Sequence, residues 1–261
     1  VGGEHAVLVS QSIVNAMPVR TASTQFVGVQ EAHISARLLW PFFRTIGSGP
    51  IGSTAHIFAR AGLDTNALAR PDTRIPHRLA MEALVAWLTE TGDAALGVRA
   101  GTEAESSDFE PLERLARTCS TFREALVRYF RVWHEASEAT VVEQGARALW
   151  RFRVTDDVPQ PRVANDFIVV CAARFALRCL RAMPLLHEVH FMHPRPTNVG
   201  PYDMFRAEAR FGCLYNGFLF DADLLAQPLP GANPRMRAIL EAYVRDYART
   251  AGPCSVRRVP D

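Results

Sequence analysis

His190-Phe191-Met192-His193-Pro194-Arg195-Pro196 opens the stretch that decides the fold of this 261-residue chain. It runs on through Tyr202, Phe205, Phe211, Asn216-Gly217, Phe220-Asp221 and Leu224-Leu225 to Pro228-Leu229. Residues 187–193 read as a strand, and a short helix is predicted near 201–207. A strand pair follows, about 209–215 and 217–221, turning at Asn216-Gly217. Asn-Gly between apolar runs is the strongest two-residue hairpin signal.

Upstream, Pro159 and Pro161 open a long helix over about 162–182. Phe167, Val170, Cys171, Phe175 and Leu177 make it apolar on most sides, so it should be buried. Before it, two apolar runs flanking Gly145 predict a β-hairpin, with Trp150, Phe152 and Val154 on one face of the second strand. The chain from 30 to 138 is mostly helical in pattern. A helix is expected over 30–46, kinked or ended by Pro41, and another over 53–61, ended by Gly62. A third, over 77–90, carries Leu79, Ala83, Leu84, Trp87 and Leu88, with Gly92 as its stop. Leu96 to Gly101 is a short apolar segment between glycines. Asp108 is expected to cap a helix, and Thr121 with Glu124 to form a capping box for the next. Downstream, a helix over 234–249 aligns Met236, Ile239, Leu240, Tyr243 and Tyr247. Helices first, then antiparallel strands with a long buried helix, predict an α+β fold: a helical N-terminal half packed against a mixed or antiparallel sheet.

Composition narrows the function classes. The 29 basic residues are all Arg and face 27 acidic ones, a near-neutral balance of +2. A nucleic-acid-binding domain carries a larger basic excess. The cysteines Cys119, Cys171, Cys179, Cys213 and Cys254 are odd in number and form no Cys-x-x-Cys pair. That argues against a disulfide framework and a zinc site and fits a reducing compartment. No apolar run has the ~18 residues of a membrane span, and no signal peptide is expected at the N-terminus. A cytoplasmic location is expected.

Catalytic and metal chemistry find little support. His187, His190 and His193 lie three apart, but on a strand His190 faces away from the other two, so three metal ligands do not converge. His56, His77 and His134 are isolated. No nucleophile elbow or phosphate loop occurs. The reading is therefore of no enzyme, no metal and no cofactor.

A second set of motifs adds to the opening stretch: Ala61-Gly62-Leu63-Asp64, Leu68, Pro71-Asp72, Arg74-Ile75-Pro76, Thr91-Gly92-Asp93, Leu96-Gly97-Val98-Arg99-Ala100-Gly101, and Leu115 through Leu126. In order and spacing, over about residues 55–250, these resemble the N-terminal effector-binding domain of AraC-type transcription regulators. The resemblance implies a transcription regulator that binds a small effector, dimerises through this domain, and meets DNA through a helix-turn-helix half not present in this chain. It implies three segments: an N-terminal arm and helix over 1–52, an effector-binding and dimerisation domain over 53–250, and a linker beginning at 251–261. A stand-alone small-molecule or lipid-binding protein is the alternative.

An effector pocket is expected where the helical and sheet halves meet, since ligand pockets are concave and mostly apolar. Trp87, Tyr129, Trp133, Trp150, Tyr202 and Phe205 are the candidate walls. Arg78, Arg174 and His193 are the candidate polar anchors, with an internal salt bridge as the other role for Arg174. Met236, Leu240, Tyr243 and Tyr247 are the candidate homodimer contacts; packing on their own domain is their other role.

Overall fold

The computed structural model describes residues 32–45, 52–70, 73–130, 137–155, 157–181 and 186–250. All belong to one compact unit that begins at Glu31. The segment around Phe42 falls within this unit.

The body opens with strand β1 (His33–Ser35), a 3-10 turn (Ala36–Leu39) and helix α1 (Trp40–Thr45). The single helix expected over 30–46 is therefore three pieces. Pro41 lies in the first turn of α1, where its missing N–H breaks no helical bond. Helix α2 (Gly52–Arg60) and the one-turn α3 (Thr65–Leu68) follow. Strand β2 (Arg74–Pro76) pairs antiparallel with β1 and leads into α4 (His77–Thr91).

Helix α5 spans Leu96–Glu103 and so contains the short apolar segment between glycines. Gly97 and Gly101 lie on its buried face, against the long helix α8 (Arg162–Leu180). A Cβ on Gly101 would stand 2.6 Å from Val170 Cβ, and one on Gly97 2.9 Å from Asp166 Cβ. Those glycines permit close helix packing; they do not end the helix. Asp108 does not cap the next helix. It accepts the Glu105 N–H at 2.7 Å and pairs with Arg44, so it ties a 3-10 turn to α1.

Helices α6 (Leu112–Arg117) and α7 (Phe122–Phe130) complete the helical half. The Glu124 N–H donates to Thr121 Oγ1 at 3.4 Å, as expected, while the Glu124 carboxylate takes the Ser120 N–H at 3.2 Å.

Strands β3 (Ser137–Gln144) and β4 (Arg147–Val154) form the expected hairpin around Gly145, which has φ +63°. After α8 come β5 (Leu186–Phe191), a 3-10 segment (Gly200–Phe205), β6 (Glu208–Phe211), β7 (Asn216–Asp221) and α9 (Pro234–Thr250). The sheet order is β3-β4-β7-β5-β6, antiparallel except for the parallel β5–β6 pair.

That order corrects the hairpin expected at Asn216-Gly217. Strands β6 and β7 are not partners: β5 lies between them, and the chain reverses at Gly212 (φ +70°). Asn216 and Gly217 begin β7, held there by tertiary contacts. The Asn216 side chain donates to Asn165 Oδ1 at 2.6 Å and accepts the Met192 N–H at 3.0 Å. A Cβ on Gly217 would strike the Trp150 carbonyl oxygen of the neighbouring strand. The pair serves close strand packing, which outweighs its local turn preference.

Helix α8 is buried along most of its length, as its composition requires. The α+β class follows from these layers.

Candidate functional site

On α8, Ala164, Phe167, Ile168 and Cys171 recur at three- and four-residue spacing, and so share one stripe. Opposite stand Leu38, Leu39 and Phe42 from the N-terminal segment and Met81 and Leu84 from α4. Phe152 and Val154 of β4 close the side. These surfaces do not meet. Between them lies an apolar cavity that opens to solvent. Leu39, Phe42, Leu84 and Phe152 are buried, whereas Leu38, Val154, Gln160 and Ile168 are half-buried at its edge. The cavity lies where helical front and sheet half meet.

Its polar walls are His77 and Gln160. His77 opens α4 and is 1% exposed. Gln160 precedes α8, and its amide nitrogen stands 3.0 Å from His77 Nε2 and 3.1 Å from the Val158 carbonyl oxygen. Both amide protons are thereby used, and His77 Nε2 is the acceptor of its pair. Sequence reading missed both residues. His77 stood isolated and Gln160 sat between two prolines, with no spacing to link them across 83 positions.

The residues singled out from sequence lie elsewhere. Trp87 fills the helical core among Phe42, Phe43 and Phe58, with centroids 5.1–6.2 Å away. Tyr129 stacks on Phe175 at 3.8 Å, and its hydroxyl faces Glu113 at 3.4 Å. Glu113 also receives Arg178 Nε at 2.6 Å and Nη2 at 2.7 Å. Trp150 packs on Phe152 and Phe218. Arg78 is exposed and pairs with Glu82 at 2.8 Å. Arg174 lies one turn beyond Cys171; its Nε is buried with no hydrogen-bond partner, and the internal salt bridge weighed for it does not form among the described residues. Trp133 lies outside the described residues. Of the nine candidates, the eight described ones are not among the cavity walls. Large aromatics maximise buried area, so they fill solid core and leave smaller side chains to border the void.

Two of them, His193 and Tyr202, converge on a buried polar lock. Asp166, on the first turns of α8, is 1% exposed. Its Oδ1 accepts from His193 Nε2 at 2.9 Å and from the Tyr202 hydroxyl at 2.9 Å, and its Oδ2 faces Arg162 Nε at 3.3 Å. His193 Nδ1 contacts the Pro194 carbonyl oxygen at 2.8 Å. Phe205 packs against Phe191 beside it, at 6.0 Å. Burial, then the Asp166 carboxylate, push the Tyr202 phenol well above its ordinary range. The lock pins the N-terminal end of α8 to the segment after β5 and to the 3-10 segment. It does not border the cavity.

His187 and His190 each pair with one carboxylate, Asp221 at 2.7 Å and Glu188 at 2.9 Å. Among the described residues no group of three or more His, Cys, Asp or Glu is placed to hold a metal ion. No helix of the described residues is long and apolar enough to cross a membrane.

The family model for the arabinose-binding domain of AraC transcription regulators, an N-terminal domain, matches residues 52–229. The chain belongs to this family. Its structure resembles that of the transcriptional regulator CdpR from Pseudomonas aeruginosa, with a TM-score of 0.51 at 19% identity. The likeness covers 76% of this chain and 64% of that one, so the chain spans less than two thirds of that regulator; at this identity it speaks for the fold. None of the curated proteins matches. An AraC-type regulatory domain is a ligand-sensing module.

On α9, Val244 is buried and Arg237, Leu240 and Glu241 are half-buried. Met236, Ile239 and Tyr243 are 43%, 57% and 55% exposed. Leu240 thus faces its own domain more than the other candidate dimer contacts. The side chain of Tyr247 lies outside the described residues.

Proposed function

We propose that this AraC-type domain binds its effector in the cavity between α4, α8 and β4, and that occupancy controls DNA binding by a helix-turn-helix half. The observation that carries this is the cavity itself: open, apolar, and bordered by both halves of the fold. Ligand pockets are concave and mostly apolar with a few polar groups, and this lining has that character. Family membership favours a sensor over a stand-alone carrier. We also propose that the Met236, Ile239 and Tyr243 stripe of α9 forms a homodimer seam, because exposed apolar patches mark interaction sites.

Native mass spectrometry of the purified chain tests both parts. A co-purified small molecule should be present, and should be lost in Ala164→Trp, which fills the cavity from α8. A ligand retained by that variant removes the cavity assignment. Ile239→Glu should convert a dimer to a monomer without loss of thermal stability; a monomeric wild-type chain at high concentration ends the seam proposal.

A further inference from the structure

We infer that the effector is an uncharged, mainly apolar molecule bearing one hydrogen-bond donor, and that Gln160 reads that donor. This rests on the cavity being the effector site. Among the described residues the cavity walls include no Asp, Glu, Arg or Lys, so a charged group seated there would lose its hydration with no counter-charge from them. A sugar fares no better. Each of its several hydroxyls needs a partner, and the described walls offer only His77 and Gln160. Those two spend most of their capacity on each other: the Gln160 amide protons go to Val158 O and His77 Nε2, at 3.1 and 3.0 Å.

One polar atom of Gln160 remains. Gln160 Oε1 has no hydrogen-bond partner among the described residues, and its side chain is half-buried at the cavity edge. A carbonyl oxygen only accepts. It therefore selects a hydroxyl or N–H and repels a carboxylate. The opposing walls Phe42, Met81, Leu84 and Phe167 take the apolar body. Met81 adds an adaptable surface, since a thioether chain fits irregular shapes.

The test uses the whole 261-residue chain and four probes: decanol, its methyl ether, decanoate and L-arabinose. Affinity is read by calorimetry. Decanol should bind best. Gln160→Leu should weaken decanol up to about tenfold, the worth of one ordinary hydrogen bond, and leave the methyl ether unchanged, which a general loss of structure would not do. Preferred binding of decanoate or arabinose, or no binding of any probe, overturns the inference. If decanoate wins and Arg174→Ala abolishes it, the effector is an anion held by Arg174. Ala164→Trp separates the two levels of argument. Decanol binding that survives this substitution places the ligand outside the cavity and refutes the site, whatever the ligand's chemistry.

Discussion

Removing the Asp166 carboxylate is the sharpest probe of how α8 is held. In Asp166→Ala, His193 loses its Nε2 partner at 6% exposure, the Tyr202 hydroxyl loses its acceptor, and Arg162 loses its ion pair. Breaking a buried charge pair from one side costs about 3–5 kcal/mol, because the remaining partner stays buried without compensation. A domain is stable by roughly 5–15 kcal/mol in all, so the loss is a large share. At about 2–4 °C per kcal/mol for a chain of this size, the melting midpoint should fall by roughly 6–20 °C. Asp166→Asn keeps the shape and an acceptor oxygen and gives up the charge; its loss should be smaller, about 1–3 kcal/mol. Thermal melts followed by circular dichroism at neutral pH, with urea titrations for the free energies, make the comparison. An Asp166→Ala midpoint within about 2 °C of wild type would refute the reasoning, for the lock would then contribute no more than an exposed ion pair.

Gly101→Leu should destabilise by about 1–3 kcal/mol or more, since the new side chain must displace Val170 across the α5–α8 contact; an unchanged urea midpoint would show that the helices part freely. Gly217→Val should lower the yield of folded protein sharply, because its Cβ meets the Trp150 carbonyl of β4; a soluble variant with native circular dichroism counts against this. Burial raises the Cys119 thiol from 9.0 to about 11 and the Cys179 thiol to about 12. The folded state thus favours the neutral thiols, a stabilisation complete below pH 9.0 and lost as pH climbs through about 11 and 12. Stability should decline over that window, with a shallower decline in Cys179→Ala, and both thiols should resist iodoacetamide at pH about 8 until the chain is denatured.

What the sequence revealed depended on how local its cause was. Helix α8 and the β3–β4 hairpin were legible because their patterns are set by neighbours a few residues away. Asn216-Gly217 misled for the opposite reason. Its turn preference is real, yet Asn165, Met192 and Trp150, all distant in sequence, decide its conformation. Leu96 to Gly101 read only as a short apolar segment between glycines, because nothing nearby announces that α8 will press against Gly97 and Gly101. The site divided in the same way. Its place followed from the two-layer architecture, whereas its walls did not. A void is bordered by whichever ordinary Leu, Ile, Phe, Met or Ala fails to meet an opposite number, and that mismatch is a property of assembled surfaces. Met236, Leu240, Tyr243 and Tyr247 read as one stripe in the sequence, but Leu240 turns toward its own domain and Val244 anchors the helix.

On α8, residues with different duties alternate within a single turn: Ala164 and Phe167 border the void, while Asn165 and Asp166 between them are bonded into the sheet side. The helix therefore cannot swing outward to admit a bulkier guest without tearing charged and amide bonds. If the effector binds there as proposed, this wall sets size like a fixed-bore gauge, and adaptation is left to the pliable Met81 side.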